Sequence, residues 1–210
     1  MSVKKNRADK STEPADITLQ YYADHADTFI DATFDADMRP ARNRFLERLP
    51  AGAYILDFGC GSGRDAKAFL ESGFRVDAVD GSAELCRLAS GITGISVRQM
   101  LFQELSAVEL YEGIWACSSI LHLPEQELRN VLHKITAALK PGGILYTSFK
   151  YGNFAGIRNG RYFTDFTEET LREFWKEFPS LKITELWITP DVRPGRENER
   201  WINLLAGKET

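Results

Sequence analysis

The segment Ile55-Leu56-Asp57-Phe58-Gly59-Cys60-Gly61-Ser62-Gly63-Arg64-Asp65 concentrates residue types that can hold a polar small ligand. A short apolar run ends in alternating glycines and then opens a helical pattern. Glycines at such a turn let the backbone reverse sharply and let a ligand approach the main chain closely. The helix N-terminus behind them adds free N–H groups and positive dipole. The next apolar run ends in Val79-Asp80, which places Asp80 21 positions (80 − 59) after Gly59. An acid at that spacing can accept hydrogen bonds from ribose hydroxyls. His122 follows a further apolar run, Gly113 to Cys117. It can act as a base or orient an anionic acceptor, or it can simply cap the helix opened by Pro124.

These residues need elements to position them. Apolar runs at 53–58, 74–79, 95–100, 113–117 and 143–149 read as strands. Helical patterns lie at 62–71, 82–90 and from Pro124 onward, where Leu128, Val131, Leu132, Ile135 and Leu139 recur at helical spacing. Strand and helix in alternation imply a parallel sheet covered on both faces. Two last strands, 182–189 and 201–206, have only a charged loop between them, which allows an antiparallel pair but no parallel crossover. The predicted fold is therefore α/β: a Rossmann-like three-layer sandwich with a mainly parallel seven-stranded sheet ending in an antiparallel hairpin strand.

Ahead of the sheet, residues 1–15 read as a loose polar tail, 16–30 as one helix, and 40–49 as a second helix with proline at its first position. Residues 16–210 are expected to form one domain. Residues 150–166 are rich in glycine and aromatics without a period, which suggests a functional loop. Thr167 is the expected N-cap of a helix to Phe178, with Thr170 leaving the capping box incomplete.

The 210 residues carry a net charge of −4 without a basic tract, which argues against nucleic acid as the main partner. No apolar stretch is long enough for a membrane span, and no secretory signal is apparent. Cys60, Cys86 and Cys117 are odd in number and far apart, fitting neither a disulfide framework nor a zinc site. A reduced, cytoplasmic protein is expected.

A dinucleotide oxidoreductase also uses a glycine turn and a following acid, in the pattern GxGxxG/A. Here Arg64 occupies the third position of that pattern. The actual run, Asp-x-Gly-x-Gly-x-Gly, resembles motif I of the class I S-adenosylmethionine-dependent methyltransferases, and the terminal hairpin resembles that family's sheet ending. ILDFGCGSGRD, YYADHA, SSILHLP and SFKYG…GRYFTDFTEE look most like small bacterial methyltransferases of the tellurite-resistance-like and type 11/12 groups.

The resemblance implies S-adenosylmethionine as cofactor, with S-adenosylhomocysteine as product. It implies that Gly59, Cys60, Gly61 and Gly63 pass beneath the methionine part, that Asp57 braces the loop near the ammonium, and that Asp80 holds the ribose diol. Ser82 either reaches the adenine side or N-caps the next helix. Phe102 either contacts adenine or belongs to the core. The Cys117 carbonyl is placed to accept from the ammonium. The helix carrying Tyr21 and Tyr22 would close over the cofactor, with an aromatic face toward the sulfonium, and residues 16–49 would form a lid.

On the acceptor side the candidates are His122 as catalytic residue and Tyr21, His25, Lys150, Arg158, Arg161 and Tyr162 as substrate contacts. If Lys150, Arg158, Arg161 and Arg193 converge, they favour a carboxylate or oxyanion; the alternative is local pairing with loop acids. No Asn/Asp-Pro-Pro-aromatic motif, catechol-type carboxylate set or radical CxxxCxxC motif is present. The expectation is a metal-independent enzyme acting on a small-molecule acceptor, as a monomer or homodimer. A non-catalytic module binding the same cofactor, a dinucleotide-dependent oxidoreductase and a macromolecular methyltransferase remain as alternatives.

Overall fold

The computed structural model describes residues 13–210. Five apolar segments pair side by side: β1 (Tyr54–Phe58), β2 (Arg75–Asp80), β3 (Arg98–Gln99), β4 (Tyr111–Ala116) and β5 (Leu139–Lys150). With β8 (Leu181–Pro190) and β9 (Arg200–Lys208) they form one seven-stranded sheet in the order β3-β2-β1-β4-β5-β9-β8. β1 to β5 pair in parallel, while β9 is antiparallel to both β5 and β8. The antiparallel strand is thus interior, and the edge strand β8 runs with the rest of the sheet.

Side chains alternate between two apolar layers, as the pleat requires. Leu56, Phe58, Ile114, Leu145 and Phe149 face the layer that holds α6 (Glu125–Ala138) and α7 (Glu168–Trp175). Ile55, Trp115 and Tyr146 face the opposite layer with Phe45 of α3 (Arg39–Leu46) and Phe69 of α4 (Arg64–Glu71). On α6, Leu128, Val131, Leu132 and Ile135 are completely buried, and each contributes roughly 1.5–3 kcal/mol of transfer free energy. α5 (Ala83–Thr93) packs beside α4 and is N-capped by Ser82, whose Oγ accepts from Leu85 N.

Several sequence-based readings differ from the structure. The helix expected over 16–30 is two helices, α1 (Pro14–Asp24) and α2 (Ala26–Thr33), because His25 leaves helical geometry at φ −124°, ψ 20°. α1 starts at Pro14, inside the segment read as a tail; residues 1–12 of that segment lie outside the described residues. The aperiodic stretch 150–166 contains a hairpin, β6 (Ala155–Arg158) and β7 (Arg161–Thr164), turned by Asn159 and Gly160 at φ 51° and 75°. The capping box at α7 is complete, because the Thr170 hydroxyl accepts from Thr167 N in place of a glutamate. Among the described residues no helix is long and apolar enough to cross a membrane.

Candidate functional site

The carboxyl ends of β1, β2, β4 and β5 open into a single cavity of about 620 Å3. Small-ligand sites usually span ~300–1,000 Å3, and sheet carboxyl ends are where they form. α1, α2 and the β6–β7 hairpin cover it. The glycine turn after β1 is its floor. Gly59 has φ 83°, and a Cβ there would stand 2.5 Å from Ser119 Cβ. Gly61 has φ 55°, and a Cβ would stand 3.0 Å from the Phe29 ring. Both positions require glycine, and both, with Cys60, line the cavity. Gly63 does not line it. Its φ of 75° starts α4, and a Cβ would meet Thr93 at 2.7 Å, so this glycine serves the packing of α4 on α5.

Two carboxylates face this floor. Asp80, at the end of β2, accepts from Gly61 N and Ser82 N at 2.9 Å each, which holds the turn against the second strand. Burial pushes its carboxyl up. Asp57 is buried, and its Oδ2 has no hydrogen-bond partner. Burial pushes this carboxyl well up, and the nearby Asp65 adds to the effect. Ser82 itself stays out of the cavity, because its hydroxyl caps α5. Phe102 lines the cavity while its ring packs on Phe58 at 4.8 Å, so it belongs both to the core and to the cavity wall. Cys117 lines it as a thiol pushed up to about 12 by burial, too weak an acid to serve as a thiolate nucleophile.

Sequence reasoning treated Arg64 only as an obstacle to a dinucleotide. In the structure it lines the cavity beside the turn. It donates to Thr33 O at 3.0 Å and pairs with Asp65 at 2.6 Å, and Asp65 also takes Arg42 and the Trp115 indole. Burial works to raise the Asp65 carboxyl, but the two guanidinium groups override it and hold it below its ordinary value. The adjacent Arg64-Asp65 pair at the start of a helix was the available signal.

The far wall carries His122. It is buried, with Nδ1 2.6 Å from Tyr162 O and Nε2 2.8 Å from the Tyr22 hydroxyl. A carbonyl only accepts, so Nδ1 bears the proton and Nε2 accepts from Tyr22. Burial pushes the imidazole down to about 4. Capping α6 is excluded, since Pro124 holds the N-cap position and no side chain caps that helix. Arg161 Nη1 reaches the Tyr22 oxygen at 3.4 Å, and its guanidinium lies 4.4 Å from the centroid of Tyr21.

Several expected acceptor contacts sit elsewhere. His25 is exposed, stacks on Tyr21 at 4.4 Å and bonds Tyr21 O, outside the cavity wall. Tyr21 stands behind Arg161, and Tyr162 contributes its backbone, with its N–H on Thr18 and its carbonyl on His122. Lys150 and Arg158 line the cavity but are paired. Lys150 holds Asp191 at 3.1 Å and also Glu199, while Arg158 holds Asp165 at 2.9 Å. Asp191 also takes Arg193 and the Trp201 indole. Asp191, Trp201 and Asn203 line the cavity and were missed. A polar Asn203 inside the apolar run Ile202–Ala206 was the visible signal. Among the described residues no three His, Cys, Asp or Glu side chains converge as metal ligands.

With the fold and site in view, similarity to known proteins points one way. A family profile described as a methyltransferase domain matches residues 55–143. The chain is 31% identical over 120 residues to the ubiquinone biosynthesis O-methyltransferase of Xanthomonas axonopodis pv. citri, covering 53% of this chain and 49% of that protein. It is 27% identical over 209 residues to the 2-methyl-6-phytyl-1,4-hydroquinone methyltransferase of a Synechocystis strain, covering 92% of this chain and 60% of that one. The chain therefore spans from 49% to 60% of the length of these two curated relatives. The Burkholderia thailandensis 1,6-didemethyltoxoflavin-N1-methyltransferase, solved with its acceptor and S-adenosylhomocysteine bound, superposes at a TM-score of 0.77 with 25% identity, over 99% of this chain and 94% of that one. The fold and glycine turn are like those of class I S-adenosylmethionine-dependent methyltransferases, and residues 55–143 match a methyltransferase domain. The relatives' named acceptors are small molecules.

Proposed function

We propose that the protein transfers a methyl group from S-adenosylmethionine to a small-molecule acceptor by in-line displacement, releasing S-adenosylhomocysteine. The observation that carries this reading is the buried, unpartnered Oδ2 of Asp57 beside a glycine turn that admits no Cβ. A buried acceptor without a donor is costly, so it marks a place where a ligand completes the bonding. The residues present fit the cofactor. Asp57 and the Cys117 carbonyl would take its ammonium, the remaining lone pairs of Asp80 its ribose hydroxyls, and Phe102 with Leu101 its adenine side. Arg64 stands at the same end as Asp57 and would face its carboxylate.

When bound, the cofactor supplies the electrophilic methyl; the chain's own work is alignment and the exclusion of water. α1 and α2 act as the lid, with Leu19 against Gly81 and Phe29 against Gly61. Tyr22 and His122 form the acceptor-side wall. His122 holds the Tyr22 hydroxyl through Nε2, so it acts as a positioning residue for Tyr22 and not as a free base. The lid extends through residue 49, and residues 16–210 act as one domain. The free, buried or half-buried cysteines agree with a reducing cytoplasm.

The test is to incubate the purified protein with methyl-labelled S-adenosylmethionine and cell extract, then separate products by size. Label is expected in the small-molecule fraction. Label confined to protein or nucleic acid, or none above a heat-inactivated control, would overturn the reading.

A further inference from the structure

We propose that the acceptor carries a carboxylate and that Arg161 is the residue that takes it. This rests on the methyltransferase reading above and adds the chemical class of the acceptor.

The acceptor end of the cavity is cationic in a chain whose net charge is −4. Most of its cations already have partners. Asp191 holds Lys150 and Arg193, Glu199 holds Lys150 and Arg196, and Asp165 holds Arg158. Arg161 differs. It pairs with no carboxylate among the described residues. Its Nε is buried and has no hydrogen-bond partner, and its one polar contact is the long bond from Nη1 to the Tyr22 hydroxyl. The guanidinium is held by the rings of Tyr21 at 4.4 Å and Phe163 at 5.3 Å. Aromatic faces attract the charge without satisfying the N–H groups.

Position adds to this. Arg161 opens β7 directly after the Asn159-Gly160 turn and shares the cavity wall with Tyr22 and His122. The imidazole Nδ1–H is committed to Tyr162 O, so His122 offers no donor to an anion there. A buried, open guanidinium suits a planar negative group. A planar fork matches a carboxylate, which can accept two parallel N–H bonds. A doubly charged phosphoryl group would need a second cation beside Arg161, and Lys150, Arg158 and Arg193 are held by the chain's own acids.

Calorimetry on the full chain tests this in two steps. The protein is first titrated with S-adenosylhomocysteine. The loaded protein is then titrated with aromatic and short aliphatic carboxylates, each paired with its own carboxamide. Wild type is expected to bind at least one carboxylate roughly ten- to a hundredfold more tightly than its carboxamide, the range for a charge-assisted hydrogen-bonded pair. Arg161→Gln should abolish the preference, and Arg161→Lys, which keeps the charge but not the fork, should restore part of it. Both variants should bind S-adenosylhomocysteine as wild type does. Equal binding of carboxylate and carboxamide, binding of no carboxylate at millimolar concentration, or a preference surviving in Arg161→Gln would overturn the proposal while leaving the cofactor assignment standing. Failure of wild type to bind S-adenosylhomocysteine would overturn both, and it would show in the first step.

Discussion

His122 shows how far a residue's surroundings can redirect its chemistry. Its imidazole titrates near 4 instead of 6.5, because burial disfavours the charged ring. The sign of the consequence is fixed. As pH falls below 6.5 the unfolded chain binds a proton on this ring and the native protein does not until about 4. Native stability therefore falls across that window, by about 3 kcal/mol from this group alone. His122→Gln should lose stability less steeply between pH 6.5 and 4, as measured by urea unfolding at several pH values; parallel curves for the two proteins would contradict the buried neutral state. Position and residue type made His122 a candidate in the sequence, but its partners did not show there. Tyr22 lies 100 residues away and Tyr162 40 away, and only tertiary packing brings them together. The pairing of Lys150 was illegible for the same reason, since Asp191 and Glu199 reach it through the β8–β9 hairpin. Gly59 and Gly61 were legible because a strand-turn-helix junction restricts which residues can pass. Gly63 looked alike in sequence, yet it answers to the packing of α5.

The β6–β7 hairpin is the element that sequence reading lost. Its strands have four residues each, too few for a clear period, although Asn159-Gly160 is a strong hairpin signal. The turn also anchors the lid. A Cβ on Gly160 would stand 2.9 Å from the Tyr21 ring, and Tyr162 N bonds the Thr18 hydroxyl of α1. Gly160→Ala combines a disfavoured positive φ with that contact. It is expected to cost about 1–2 kcal/mol of stability and to speed proteolytic cleavage within residues 14–33. Unchanged proteolysis would mean that the hairpin does not hold α1 in place. The split of α1 from α2 at His25 went unseen for a different reason: YYADHADTF contains no glycine or proline, and the break shows only in the non-helical backbone angles of His25.

At the scale of the whole molecule, alternation of strand and helix between residues 53 and 149 is enough to specify a parallel sheet, because crossovers of that length admit few alternatives. The short last connection likewise specified an antiparallel pair. Strand order was beyond it: nothing local says that β9 inserts between β5 and β8 and carries Trp201 and Asn203 to the cavity. The central claim is that this sheet end binds an adenosyl amino acid and not a dinucleotide. Parallel calorimetric titration of the purified protein with S-adenosylmethionine, S-adenosylhomocysteine and NADH tests it most directly. Binding of both adenosyl compounds at micromolar concentration with none for NADH is the expected result; binding of NADH alone would contradict the assignment of the glycine turn, of Asp57 and of Asp80 together.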